Sequence, residues 1–245
     1  MLMLKILSKL KKALGNTIYY PGCLTNFVLK DVKRNYEKIL NHLGIPAIEI
    51  KELKCCGSPV RNSGYFEDFE DLKEHNKKIL NDYGVSKIIF NCPACYSTFK
   101  QEYDLPEFID LYHITELISQ KIDLFKAGVF SKKTCTYHDP CHLGRYAGIY
   151  QEPRQILKHL GFTLLEMKNS FEKSFCCGGG ASLRSYSLKI SRRIAEKRIE
   201  EAIKTNAEYL ITSCPMCYLQ LKEASESLKA EIKVLELSQV IVNAL

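Results

Sequence analysis

The chain contains one pattern of five cysteines twice. The first copy reads Cys23-x31-Cys55-Cys56-x35-Cys92-x2-Cys95, and the second reads Cys141-x34-Cys176-Cys177-x36-Cys214-x2-Cys217. The surrounding residues repeat with the cysteines. The stretch Ile88-Ile-Phe-Asn-Cys-Pro-Ala-Cys95 continues through Tyr96 to Lys100 and matches the stretch from Leu210 through Cys214-Pro-Met-Cys217 to Lys222. Tyr19-Tyr-Pro-Gly-Cys23 matches Tyr137-His-Asp-Pro-Cys141, and the stretch Tyr112 to Ile118 resembles Leu235 to Ile241. The copies lie 118 residues apart at Cys23 and Cys141 and 122 apart at Cys92 and Cys214, so small loop insertions account for the drift. A period this long defines a duplicated domain rather than a solenoid. The expected division is a basic amphipathic N-terminal helix at 1–15, a first domain at 16–122 and a second at 123–245.

Each copy alternates short β-rich runs with helix-period segments. In the first copy these are a strand at Thr17–Tyr20, a helix at Val28–Leu43, a strand at Ala47–Ile50 and a helix at Phe66–Tyr83. A strand at Lys87–Phe90, a short helix opening at Cys92-Pro93, a strand at Phe108–Tyr112 and a helix from Thr115 follow. The second copy gives Thr134–Tyr137, Arg154–Leu160, Thr163–Glu166, Leu183–Lys204, Tyr209–Thr212 and Met216–Ser225. Such alternation implies an α/β fold: two tandem-repeat domains, each a small parallel sheet flanked by helices. Strand C-termini of a parallel sheet share one edge, so the five thiols of each copy converge there, facing the domain interface.

The chemistry follows from the number of thiols. Buried hydrophobic cysteine explains an isolated residue, as for Cys135, which belongs to neither copy and reads as core. It does not explain ten at matching loop positions. Structural zinc takes four tetrahedral thiolates and leaves the fifth idle. Dithiol exchange needs only Cys92/Cys95 or Cys214/Cys217 and leaves the Cys-Cys pairs without a role. An iron–sulfur cluster gives adjacent cysteines separate metal atoms, and it is the favoured reading; zinc in one domain is the alternative. Gly57, Gly178 and Gly179 stand beside the paired cysteines, where missing side chains let backbone N–H groups approach a sulfide or an anionic substrate. Cys-Cys-Gly-Gly-Gly at 176–180 is the more open loop and Cys-Cys-Gly-Ser-Pro at 55–59 the stiffer one, which favours the second site for substrate.

His138 and His142 bracket Cys141. For His138, proton delivery to a reacting sulfur or a hydrogen bond tuning the cluster stands against a simple capping role; His142 reads as a cap. Arg145 either meets an anion or pairs with a local acid. Arg184, Arg192, Arg193 and Arg198 read as solvated helix faces.

Eleven cysteines without an export signal point to a reducing, cytoplasmic setting. The net charge of +7 is spread over interleaved Lys and Glu, which argues against nucleic-acid binding. No apolar run of about 18 residues crosses a membrane. The basic helix at 1–15 either packs on the body or docks to a partner or, peripherally, to a membrane surface.

Both five-cysteine patterns, with Tyr137-His-Asp-Pro-Cys-His-Leu-Gly-Arg145 and Cys176-Cys-Gly-Gly-Gly180, resemble the cysteine-rich CCG-domain family. That family includes the heterodisulfide reductase catalytic subunit and the iron–sulfur subunits of glycolate, lactate and glycerol-3-phosphate oxidoreductases. The resemblance implies an iron–sulfur subunit of a multi-subunit oxidoreductase reducing a disulfide or similar small acceptor. It implies two 4Fe-4S clusters of noncubane type, one on Cys23, Cys55, Cys56, Cys92 and Cys95, the other on Cys141, Cys176, Cys177, Cys214 and Cys217. His138, Cys141 and Cys177 are then the expected catalytic residues. The sequence has no Cys-x2-Cys-x2-Cys-x3-Cys-Pro run, so electrons are expected from a separate ferredoxin-like or flavoprotein subunit. The rival within redox chemistry is an electron relay for a flavin 2-hydroxyacid dehydrogenase; the rival outside it is a zinc-stabilised, non-catalytic binding protein.

Overall fold

The computed structural model describes residues 15–245. The amphipathic helix expected over 1–15 lies, apart from Gly15, outside them.

The first copy holds a three-stranded parallel sheet of order β1-β2-β3, formed by Asn16–Tyr20, Val85–Phe90 and Asp110–His113. The second holds a four-stranded parallel sheet of order β5-β4-β6-β7, formed by Thr134–Tyr137 (β4), Thr163–Leu164 (β5), Tyr209–Thr212 (β6) and Lys233–Glu236 (β7). The missing edge strand of the first sheet survives as one bridge, Ile18 to Ile48, so the strand expected at Ala47–Ile50 is reduced to a single pairing. β7 has no clear strand signature in the sequence, because Lys233 and Glu236 break up its apolar pattern.

Helices cover both sheets. In the first copy they are α1 (Gly22–Phe27), α2 (Lys30–His42), α3 (Ser58–Asn62), α4 (Phe66–Asp82), α5 (Pro93–Glu102) and α6 (Ile114–Gln120). In the second they are α7 (Gln151–His159), α8 (Leu183–Tyr186), α9 (Leu188–Ile203), α10 (Pro215–Ser227) and α11 (Leu237–Ile241). The helix expected at Val28–Leu43 forms as α2, starting two residues later, with the short α1 ahead of it. One expected helix is broken: the one at Leu183–Lys204 breaks at Ser187, whose extended backbone and hydroxyl, accepting from the Ile190 N–H, start α9 afresh.

The repeat extends to the caps. His113 closes a capping box with Glu116 at the start of α6, and Glu236 closes one with Gln239 at the start of α11. These last helices are exchanged between copies: α6 packs on α7, and α11 packs on α2. One core therefore joins both copies, with Tyr36, Ile39, Ile118, Ile156, Leu157 and Ile241 all buried in it. Each copy adds its own smaller core on the other face of its sheet.

Register sets the cysteines level. Tyr20 pairs with Phe90, so Cys23 and Cys92 leave the same sheet edge. Tyr137 pairs with Ile211, which does the same for Cys141 and Cys214.

Candidate metal centre

All ten paired-pattern cysteines line one cavity of about 510 Å³ between the two copies. Its walls are otherwise mostly apolar, including Leu24, Phe27, Pro140, Pro215 and Met216. Phe27 stands 71% exposed at the end of α1. Arg184 also lines the cavity, but its guanidinium donates to both Glu223 oxygens, at 2.8 and 2.9 Å, and to Gln220 at 2.5 Å. It is a braced wall residue rather than a solvated helix face.

The thiols of each copy touch in the same order. In the first, Cys23 meets Cys55, Cys55 meets Cys56, Cys56 meets Cys95, and Cys95 meets Cys92. In the second, the chain runs Cys141, Cys176, Cys177, Cys217, Cys214. Hydrogen bonds from the neighbouring thiols, Cys23 first, bring Cys55 down to about 3. Those from Cys141 and Cys177 bring Cys176 down to about 2. The Gly178 N–H, donating to Cys176 Sγ at 3.3 Å, adds to this. Gly179 also donates to Cys177 Sγ at 3.4 Å and Cys217 to Cys214 Sγ at 3.5 Å. Ten converging sulfurs, some already held as thiolates, are the donor set that metal clusters require. Cys135 lies apart, fully buried in the shared core, where burial raises its thiol to about 12.

The glycines are required by backbone shape and by packing. Gly57 has φ +80° and Gly178 φ +78°. A Cβ on Gly57 would stand 2.5 Å from the Phe69 ring, and one on Gly178 would stand 2.7 Å from the Ser191 carbonyl oxygen. Gly22 belongs with them: its φ is +74°, and a Cβ would stand 3.0 Å from Cys95 Sγ. The Pro-Gly-Cys run was its signal in the sequence.

His142 lines the cavity and shares a 2.7 Å hydrogen bond from Nδ1 with Ser97 Oγ of the other copy, so it bridges the copies beside Cys141. His138 is fully buried, and burial, then the Arg198 charge, holds its pKa well below the usual imidazole value. The ring therefore stays neutral, which disfavours proton delivery. Arg198, expected on a solvated face, is instead wholly buried and bonds His138 Nδ1 at 3.1 Å. Its spacing from Ala195, Ile199 and Ala202 on the buried face of α9 was the missed signal. Asp139 is buried against Arg154, with Nη1 and Nη2 donating to its two oxygens at 2.6 and 2.9 Å. Arg145 donates to the Ser174 carbonyl at 2.7 Å.

These features define a cysteine-rich redox-type centre, and the chain belongs to the CCG cysteine-rich domain family, whose model matches residues 17–100 and 135–222. It is 32% identical over 244 residues to a dihydromethanophenazine:CoB–CoM heterodisulfide reductase subunit of Methanosarcina acetivorans, covering 94% of this chain and 59% of that one. It is 31% identical to a fumarate reductase (CoM/CoB) subunit of Methanothermobacter marburgensis, covering 91% and 45%, and 34% identical to the probable iron-sulfur-binding oxidoreductase FadF of Bacillus subtilis, covering 82% and 29%. The chain thus spans little more than half the length of these relatives, or less. A solved structure of a hypothetical protein from Helicobacter pylori shares the fold, with a TM-score of 0.64 at 15% identity, covering 98% of this chain and 53% of that one. The family and the relatives' names support iron–sulfur binding. Among the described residues, no helix is long and apolar enough to cross a membrane.

Proposed function

We propose that this chain is an iron–sulfur oxidoreductase subunit of heterodisulfide-reductase type, holding one 4Fe-4S cluster on each five-cysteine set and reducing a disulfide in the cavity between them. The observation that carries this reading is that both sets line the same cavity. Two cluster sites facing one small, apolar-walled space suit a substrate that takes up two electrons; a pure relay needs no such space. Balanced, the reaction converts one disulfide, two electrons and two protons into two thiols. Bound clusters would supply the electrons singly and a metal on which a substrate sulfur can rest.

The chain's residues define the space for that chemistry. Pro140, Pro215 and Met216 give the sulfurs apolar neighbours, and the Gly178 and Gly179 N–H groups donate to Cys176 and Cys177 Sγ. His142, at the cavity wall, bridges to Ser97 of the other copy beside Cys141, and burial lowers its pKa as it does that of His138, so it acts as a polar wall group rather than a proton store. We assign the two domains to 16–122 and 123–245, the electron donor to a partner ferredoxin-like or flavoprotein subunit, and the location to the reducing cytoplasm.

The test is anaerobic purification with iron, acid-labile sulfide and zinc assays. About eight iron and eight sulfide per chain are expected for two such clusters. About one zinc per domain without sulfide would overturn the reading.

A further inference from the structure

The two thiol sets are near copies, yet the residue three places before Cys23 and Cys141 differs in kind: Tyr20 in the first, His138 in the second. The Tyr20 hydroxyl donates to the Lys54 carbonyl at 2.6 Å, so its hydrogen is engaged away from the sulfurs. His138 is placed differently. Its Nδ1 faces Arg198 Nε at 3.1 Å. A guanidinium only donates, so Nδ1 must present its lone pair, and the one hydrogen of the neutral ring sits on Nε2. Nε2 is buried and has no partner among the described atoms. A ring nitrogen of His138 and the sulfurs of Cys177 and Cys217 all lie within 4.8 Å of one another. Arg198 is fixed in turn, Nη1 donating to Glu201 at 2.6 Å and to the Asn169 carbonyl at 2.9 Å, and Nη2 to Ser174 Oγ at 3.1 Å.

We propose that Arg198 holds His138 as its Nε2–H tautomer, that with a cluster in place this unpartnered hydrogen donates to a thiolate sulfur of the second five-cysteine set, and that this cluster consequently has the higher reduction potential of the two. The proposal rests on the iron–sulfur reading above. A hydrogen bond to a ligand sulfur stabilises the negative charge gained on reduction and so raises the potential. The first set has no counterpart to this donor at Tyr20. The same tautomer makes His138 a donor and not a metal ligand: a ligating Nε2 would put the hydrogen on Nδ1, against an arginine that cannot accept it. His138 is thus a positioning residue acting through Cys177 and Cys217, and an electron delivered to the pair comes to rest on the second set.

Arg198 contributes a buried positive charge as well, so the variants must remove the donor and keep the arginine. His138→Phe does this, and His138→Gln restores an N–H. The measurement is an EPR-monitored redox titration of the anaerobic, cluster-loaded full chain, with Cys56→Ser, which removes a first-set ligand, assigning the signals. In His138→Phe the second-set potential is expected to fall by a tenfold change in the one-electron equilibrium, about 59 mV, with the first-set potential unmoved. His138→Gln recovers most of the shift. Potentials unchanged in His138→Phe, or both shifted alike, overturn the proposal.

A second measurement does not require that variant to fold. In wild-type chain labelled with 15N-histidine, a weak nitrogen coupling to the reduced second-set cluster is expected, lost in His138→Gln. No coupling, or the strong coupling of an iron-bound nitrogen, overturns the proposal. A chain that contains no iron and sulfide overturns the iron–sulfur reading and this proposal together; clusters present with unmoved potentials overturn the role of His138 alone.

Discussion

Tyr36 of α2 donates its hydroxyl hydrogen to Glu236, at the start of α11, across 2.5 Å of fully buried interface between the two copies. The other Glu236 oxygen accepts from the Ser238 N–H at 2.8 Å and from the Ser238 hydroxyl. Burial raises this carboxyl to about 7 against these hydrogen bonds. The folded chain therefore holds the Glu236 proton more tightly than the unfolded chain. Its contribution to stability is fully present below about pH 4.5 and is lost as pH rises toward 7. At about 1.4 kcal/mol per unit, the loss is on the order of 3 kcal/mol. Urea unfolding of the anaerobic protein at pH 5 and pH 8 is expected to show this decline, with Glu236→Gln flattening it relative to wild type. Equal slopes in the two proteins would remove Glu236 from the explanation.

Glycine substitutions separate backbone demand from mere openness of the loop. Gly178→Ala meets the Ser191 carbonyl at 2.7 Å in a left-handed conformation, and a backbone atom cannot swing aside. A loss of about 2 kcal/mol or more is expected, together with loss of iron from the second set. Gly180 has open space around its Cβ position and no positive φ, so Gly180→Ala is expected to stay within about 0.5 kcal/mol of wild type. Iron per chain and urea midpoints check both.

Asp139 holds the loop that carries Cys141. Its carboxylate takes both Arg154 hydrogens and the Phe171 N–H at 2.9 Å, with both charged side chains 3% exposed. Removing it leaves the buried guanidinium with the half-buried Glu166 as its remaining carboxylate and strands the Phe171 N–H, so Asp139→Ala is expected to cost about 2–3 kcal/mol. Glu166 also pairs with Arg154, at 2.6 Å, but is 33% exposed and leaves the Asp139 pair intact when removed. Glu166→Ala is expected to cost about 1 kcal/mol or less. Urea midpoints of the two variants, measured side by side, check the contrast.

Cysteine replacements count the sites. Cys177→Ser is expected to lower iron by about half, since on the proposed reading it disables one of two four-iron sites, whereas Cys135→Ser leaves iron unchanged because Cys135 sits in the shared core. Equal iron loss in the two would contradict two separate five-thiol sites.

The repeated cysteines, the parallel strands and the convergence of thiols at the strand ends were legible because short-range pattern determines them. What escaped was set by packing between the copies. Arg198 looked like a surface charge, since a lone sequence cannot show that Glu201, Ser174, Asn169 and His138 surround it. The strand expected at Ala47–Ile50 shrank to one bridge because Ile18 alone finds a partner there. The exchange of α6 and α11 between copies, and the single cavity it brings about, depend on contacts from Tyr36 to Glu236 and from Ser97 to His142, far apart in the chain.

The most direct test of a disulfide chemistry shared between two cluster sites is EPR of the oxidised, cluster-loaded protein with and without added thiol. The expected result is a new paramagnetic signal that appears only with thiol, grows with its concentration and vanishes in Cys177→Ser. A spectrum indifferent to thiol, in protein shown to contain both clusters, would contradict substrate sulfur binding in the cavity and leave electron relay as its role.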